Sequence, residues 1–301
     1  MKYLVIDIGG SFIKYAIMTQ IAGFLEKGKI PTPLDSIEKL IENIGEIYDK
    51  YKDEIQGIAI SIPGIIDSER GYAYTGGSLT YNDDKEIVKL TQKRCPTKIS
   101  IENDGKCAAL AELWQGSLKD CDDGVVIVLG TGVGGGIIKD RKLHKGKHFS
   151  AGEFSFMLTN DNFEYTVDDL WGFKNSYKNL TKPFAKLKNI TNNDFDGLAF
   201  FEFVNNGDKE AIKILDQYTK GLVKQIFNLQ CILDPEKIAI GGGISEQDIL
   251  MEYIQKNMKE HYNKYPFNSP PRAKIVRCKF RNDSNLIGAL YNFLIPKEFN
   301  K

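Results

Sequence analysis

The chain has 301 residues, with forty basic residues balanced by forty acidic ones and a formal net charge of zero at neutral pH. That balance, with no block of like charge, argues against nucleic acid or an anionic membrane surface and in favour of a small-molecule ligand. The length exceeds one ordinary core, so two domains are expected. No run of about 18 apolar residues occurs, and strand pattern begins directly after Lys2, so neither a membrane span nor a signal peptide is expected and the expected compartment is the cytoplasm.

Residues 3–8 and 12–18 are β-branched runs separated by a short turn, Gly9-Gly10-Ser11, which predicts a β-hairpin whose backbone amides can approach phosphate oxygens. Asp7 stands beside the turn donors Gly9, Gly10 and Ser11, and Lys14 lies on the returning strand. Phosphate with Mg²⁺ needs such a set, because Mg²⁺ keeps most of its waters and is held by one or two carboxylates plus phosphate oxygens. A strand-terminal Asp in a tight hairpin is the plainer alternative.

Residues 35–53 carry apolar positions at Ile37, Leu40, Ile41, Ile44 and Ile47, a helical period, with Asp35 or Ser36 as cap. A short apolar strand over 57–62 ends at Pro63-Gly64 and opens into a loop. Another, over 97–102, runs into Asn103-Asp104 and a helix-forming stretch from Gly105. Asp104 therefore sits at a strand-to-helix junction, where the helix dipole keeps a carboxylate ionised. It is the candidate general base for transfer of a γ-phosphoryl group to an alcohol, a role compatible with capping the helix.

Residues 125–138 repeat the opening pattern: a β-branched run, a glycine turn and a second run, which predicts a duplicated unit. Gly130, Thr131 and Gly132 with the glycines at 134–136 exceed what a hairpin requires and suggest close backbone approach to a ligand. Glu153 is a lone acid among small and apolar residues and could accept paired sugar hydroxyls. The rings of Phe154 and Phe156 either pack in the core or stack on a sugar face. Residues 159–207 read as loops and short helices, and helix returns over 208–233. A strand at 237–240 ends in Gly241-Gly242-Gly243, where a base or ribose could lie on bare backbone, and helix follows to about 262. A last strand, 274–279, precedes a helix over 284–294.

Five scattered cysteines lack zinc or disulfide spacing and are expected to be buried, reduced thiols. His144 and His148, four apart, are expected in a loop rather than on one helical face.

Taken in order, Asp7-Ile8-Gly9-Gly10-Ser11, Ile60-Ser61-Ile62-Pro63-Gly64, Ile101-Glu102-Asn103-Asp104, Leu129-Gly130-Thr131-Gly132-Val133-Gly134-Gly135-Gly136, Ala151-Gly152-Glu153 and Ile240-Gly241-Gly242-Gly243 resemble the ROK family of repressors, open reading frames and kinases over nearly the whole chain. The resemblance implies an α/β, actin-like, hexokinase-type ATPase fold, with two ribonuclease-H-like domains and an ATP and sugar cleft between them. It implies a sugar-side domain of residues 1–118 plus 285–301, and a nucleotide-side domain of 119–284. The Asp of the Glu-Asn-Asp motif, here Asp104, is the implied base, and closure of the halves is expected about hinges near 116–124 and 280–286. ATP and Mg²⁺ are implied, with Asp7 as the Mg²⁺ residue and Asp7, Gly9, Gly10, Ser11, Lys14, Gly130, Thr131, Gly132 and Gly241 to Gly243 around the nucleotide.

Zinc-bearing members carry a Glu-x-Gly-His motif and a Cys-rich loop; this chain reads Glu153-Phe154-Ser155-Phe156 with no cysteine between Cys121 and Cys231, so no structural zinc is expected. With Gly76-Gly77-Ser78, the tract looks more like the family's β-glucoside kinases. The implied sugar residues are Gly64, Gly76, Gly77, Asn103, Asp104, Glu153 and Phe156. The implied reaction is phosphorylation of the 6-hydroxyl of a glucosyl unit, in a β-glucoside or free glucose, with N-acetylmannosamine kinase, glucokinase, a non-catalytic sugar sensor and an actin-like ATPase as alternatives. A homodimer is expected, and no DNA-binding module is expected ahead of Asp7.

Overall fold

The computed structural model describes residues 1–191, 195–267 and 272–295. The chain divides into two compact units. One comprises Met1–Gly116, Leu143–Ala151 and the chain from Asp283; the other comprises Ser117–Lys142 and Gly152–Asn282. Residues Leu143–Ala151, which the sequence boundaries leave in the second domain, thus cluster with the first. Residues 296–301 of the expected first domain lie outside the described residues.

Unit 1 opens with β1 (Lys2–Ile8), β2 (Phe12–Thr19) and β3 (Phe24–Pro31), followed by α1 (Ile37–Tyr51) and β4 (Ile55–Ile62). A two-stranded hairpin, β5 (Ile66–Asp67) and β6 (Tyr72–Ala73), leads to α2 (Ile87–Arg94), β7 (Ile99–Asn103) and α3 (Asp104–Gln115). The sheet order is β3-β2-β1-β4-β7. β1 runs antiparallel to β2 and parallel to β4, which is parallel to β7. The central strands are apolar on both faces because both are covered, as parallel strands require. Leu4, Ile6, Ile58, Ile60 and Ile101 meet Leu40, Ile44 and Ile47 of α1 in one core. Each such burial stabilises by roughly 1.5–3 kcal/mol. Ser36 caps α1 through the Lys39 amide, as its position before the apolar period predicts.

The C-terminal helix (Ser284–Leu294) packs on α3 and on β1, β4 and β7 within this unit. Trp114 and Tyr291 stack with ring centroids 4.9 Å apart. Gly288 sits against the Cys107 carbonyl, where any Cβ would collide. The close helix crossing therefore depends on that glycine.

A second sheet repeats the plan with β8 (Gly124–Leu129), β9 (Val133–Lys139), β10 (Lys142–His144), β11 (Lys237–Gly241) and β12 (Lys274–Arg277), in the order β10-β9-β8-β11-β12. β8 is antiparallel to β9 and parallel to β11, which is parallel to β12. The expected duplication is thus present as one strand order used twice. Within 159–207 the chain forms α4 (Trp171–Lys174), α5 (Lys178–Leu187) and α6 (Gly197–Asn205), whose Phe184, Phe200 and Phe201 are buried. Residues 192–194 of that stretch lie outside the described residues. Asp208 caps α7 (Lys209–Leu233), and α8 (Asp248–Lys264) follows the third glycine cluster.

Four cysteines are buried as expected, and burial pushes the Cys107 thiol well above its ordinary value; Cys231 is exposed, a departure caused by its place on the outer face of α7. His144 ends β10 and His148 lies beyond it in irregular chain, so the two share no helical face. Among the described residues, no helix is long and apolar enough to cross a membrane.

Candidate functional site

In unit 1 the strand register brings the expected residues to one end of the sheet. Asp7 stands opposite Lys14 on β2 and opposite Ser61 on β4, while Ile62 stands opposite Asn103 on β7. Asp7, Ser61 and Asn103 thus lie at the carboxyl ends of three adjacent parallel strands, where open α/β sheets bind ligands.

Asp7 is 5 % exposed. Its Oδ1 accepts from Ser61 Oγ at 2.9 Å and from Asn285 Nδ2 at 3.0 Å, and its Oδ2 lies 3.8 Å from Lys14 Nζ. Two neutral donors therefore fix one oxygen, and the other faces the half-exposed ammonium. Among the described residues no group of three His, Cys, Asp or Glu could hold a metal. One oriented carboxylate suits Mg²⁺ carried largely by water and phosphate, and suits a cation needing an all-protein cage poorly.

The adjoining turn differs from expectation in one donor. Gly9 N–H donates to the Phe12 carbonyl at 3.0 Å, and its own carbonyl accepts from Thr32 Oγ1 at 2.6 Å. Gly9 closes the turn, so its amide is not a phosphate donor. The amides of Gly10 and Ser11 have no hydrogen-bond partner among the described residues, and both residues are exposed.

At the end of β7, Asn103 rather than Asp104 caps α3. Asn103 keeps extended backbone, and its Oδ1 accepts from the Lys106 amide at 3.0 Å. Its Nδ2 donates to the Gly64 carbonyl at 2.9 Å, which leaves one amide hydrogen for a ligand. Asp104 occupies the first helical position, half-buried, and its Oδ1 accepts from the Gly105 amide at 2.8 Å. The helix dipole there favours the ionised carboxylate.

Gly64, Gly76 and Gly77 are fixed by the backbone. Gly64 has φ of +105°, and a Cβ there would strike the Thr75 carbonyl. At Gly76 a Cβ would strike the Leu79 carbonyl, and Gly77 has φ of +60°. Asp83 Oδ1 accepts from the Gly76 amide at 2.6 Å. These three glycines shape the loop beside Asn103, and their residue type needs no ligand to explain it.

In unit 2 the glycines fall into two kinds. Gly135 and Gly242 are demanded by packing: a Cβ would strike the Val126 carbonyl at the first and the Leu129 carbonyl at the second, where φ is +89°. Gly241 is tight as well, with Cys278 Sγ 3.0 Å from its Cβ position. At Gly130 the nearest atom would be 4.0 Å away, at Gly132 3.4 Å, and at Gly243 nothing lies within 4 Å. The fold therefore has room for a Cβ at 130, 132 and 243, and packing does not demand glycine there. Thr131 between the first two is exposed.

Glu153 precedes a single 3-10 turn, Phe154–Phe156, and is half-buried. Phe154 is buried, with its ring 5.8 Å from that of Trp171, so it packs in the core and does not stack on a ligand. Phe156 is 63 % exposed. Ser155 Oγ donates to the Val133 carbonyl at 2.9 Å, tying this turn to β9.

Sequence reasoning missed Asn285 and Lys145. Asn285 meets Asp7 from the far end of the chain, and nothing local marks it. Lys145 reaches Glu102 from a loop, and only the neighbouring Gly146, with φ of +73°, hints at a shaped turn.

Known proteins share the fold. A β-glucoside kinase of Klebsiella pneumoniae is 28 % identical over 97 % of this chain and 96 % of its own length. A ROK family protein of Streptococcus pneumoniae TIGR4, solved in complex with sucrose, superposes with a TM-score of 0.86 at 28 % identity, covering 98 % of each chain. A ROK family glucokinase of Streptomyces griseus, solved with glucose and AMPPNP, superposes with a TM-score of 0.81 at 20 % identity over 96 % of this chain and 98 % of that one. The fold is the actin-like, hexokinase-type ATPase fold, with its repeated five-stranded unit. The ROK family model matches residues 3–295, and the chain belongs to the ROK family.

Proposed function

We propose that this chain is an ATP-dependent sugar kinase that phosphorylates the 6-hydroxyl of a glucosyl unit, in a β-glucoside or in free glucose. The observation that carries it is Asp104 on the first turn of α3, at the same sheet end as the anchored Asp7. ATP supplies the γ-phosphoryl group, and Mg²⁺ spreads its charge when bound.

The chain's own residues do the rest. Asp104 accepts the proton of the sugar hydroxyl as its oxygen bonds to phosphorus and the bond to the ADP oxygen breaks. Asn103 offers its remaining amide hydrogen to the sugar, and Glu153 accepts sugar hydroxyls. The amides of Gly10 and Ser11, with Lys14, meet phosphate oxygens; bare backbone at Gly130, Gly132 and Gly243, with Thr131, serves the nucleotide. Asp7 would hold Mg²⁺, directly or through water. The exposed Phe156 ring suits an aglycone or second sugar, which is why a β-glucoside is placed first. The similarity to a β-glucoside kinase supports the same choice. A homodimer belongs to this reading.

The test is ADP release with glucose, cellobiose, an aryl β-glucoside and N-acetylmannosamine, beside ATP alone. Turnover that requires a glucosyl acceptor is expected. Phosphorylation of N-acetylmannosamine in preference would move the substrate, and sugar-independent turnover would replace the kinase reading with an actin-like ATPase. No turnover with sugar binding retained would make it a sensor.

A further inference from the structure

Lys145 lies in Leu143–Ala151, the segment that clusters with unit 1 although the chain on either side belongs to unit 2. The segment is built onto that unit: Phe149 takes φ of +58° and stacks on Tyr74 with centroids 6.2 Å apart, and the Ala151 amide donates to the Lys145 carbonyl at 3.1 Å. Lys145 Nζ donates to Ser68 Oγ at 2.6 Å and lies 3.3 Å from Glu102 Oε2. Glu102 is 0 % exposed, and its other oxygen accepts from the Asn103 amide at 2.9 Å. A carboxylate removed wholly from water needs a positive partner or it pulls its surroundings out of place. The two residues that follow Glu102 are Asn103, which caps α3 and holds Gly64, and Asp104.

We propose that Lys145 is a positioning residue: by neutralising Glu102 it fixes the backbone that aims Asn103 and Asp104 at the acceptor hydroxyl. The inference rests on the kinase reading with Asp104 as base. Lys145 touches neither sugar nor phosphate in this scheme. Its removal therefore acts on the chemical step and leaves ATP affinity alone, which separates it from a general loss of fold.

The experiment compares wild type, Lys145→Met, Lys145→Arg, Ser68→Ala and the double variant Lys145→Met with Glu102→Gln, in the full-length chain. Lys145→Met is expected to lower kcat about 10- to 100-fold, the usual loss when an outer partner of a functional group is removed, with KM for ATP unchanged. Lys145→Arg is expected to restore most of kcat, and the double variant to exceed Lys145→Met, because the stranded charge is gone. Hydrogen exchange in a peptide spanning 99–107 is expected to quicken in Lys145→Met. Should that variant not fold, Ser68→Ala and Lys145→Arg carry the test, the first with a smaller fall in kcat and the second near wild type.

A folded Lys145→Met with wild-type kcat, or a double variant no better than the single one, overturns the proposal. If wild type phosphorylates no sugar, the kinase reading falls. Exchange then decides the tether separately: quickened exchange upholds it, and unchanged exchange removes it.

Discussion

Asn285 Nδ2 donates to Asp7 Oδ1 at 3.0 Å, joining residues 278 apart in the chain. The C-terminal helix thereby reaches the first strand at the atom that fixes the direction of the Asp7 carboxylate. Its packing on α3 and β1 supports both expected carboxylates of unit 1, since Asp104 begins α3 and Asp7 is the last residue but one of β1.

Loss of that hydrogen bond is expected to show in function as well as in stability. Asp7→Asn should lower kcat by at least about 100-fold, the usual size of a lost preorganised charge contact, with little change in Tm. Asn285→Ala should cost about 1–3 kcal/mol, because a buried carboxylate oxygen loses a donor, and should lower kcat less than Asp7→Asn does. Steady-state kinetics paired with thermal unfolding separates the two; equal kcat in Asp7→Asn and wild type would take Asp7 out of the site.

The two kinds of glycine give a sharper contrast. Gly242→Ala places a Cβ into the Leu129 carbonyl at φ of +89° and should destabilise the fold by roughly 1–3 kcal/mol or more. Gly130→Ala, Gly132→Ala and Gly243→Ala enter open or loosely filled space and should leave Tm near wild type. If bare backbone at these positions receives the nucleotide, KM for ATP should rise by about tenfold or more, the cost of one displaced contact of about 1.4 kcal/mol. Isothermal titration with a non-hydrolysable ATP analogue checks it. Unchanged affinity in all three variants would assign those glycines to some other purpose.

Much of this architecture was legible because the strands that matter are buried on both faces. Residues 3–8, 57–62 and 125–128 are apolar runs bounded by glycine turns, and their periods leave little choice. β3 was missed because it is an edge strand with Lys27, Glu26 and Lys29 pointing outward and Gly28 in its middle, which erases the alternation. α5 and α6 were blurred by the Asn, Lys and aromatic mixture around them; their apolar sides become visible only once Phe184 and Phe200 meet at 5.5 Å. At the site, Asp7, Asn103 and Asp104 were readable from strand ends. The cap belongs to Asn103 because its side chain reaches the amide three residues on, at Lys106, whereas Asp104 accepts from the next amide, a difference that two adjacent capping residues do not reveal in sequence. Asn285 and Lys145 were invisible because their partners are distant in the chain.

Asp104 carries the most direct functional prediction. Asp104→Asn keeps the shape of the helix start and removes the proton acceptor, so kcat should fall at least about 100-fold while nucleotide binding persists. Calorimetric binding alongside kinetics checks both halves. Near-normal turnover in this variant would exclude Asp104 as base.

Arg94 predicts a pH dependence away from the site. Its guanidinium reaches Glu42 with Nε at 3.0 Å and Asp49 with Nη2 at 2.7 Å, lying across α1 where Gly45 leaves no side chain in the way. The Arg94 hydrogen bond holds both carboxyls below their ordinary values, against a smaller opposing effect of desolvation. A carboxyl lowered in the folded state binds fewer protons there than in the unfolded chain, so its contribution is complete above the unfolded value of about 4 and is lost as pH falls through the folded one. Arg94→Met should therefore open a small Tm gap to wild type at neutral pH that closes in acid. The pair is half-exposed, so the gap should also narrow in roughly 1 M salt, where screening reaches about 3 Å. Thermal unfolding of both proteins across the acid range measures it, and a gap independent of pH would assign Arg94 a packing role over Gly45 instead.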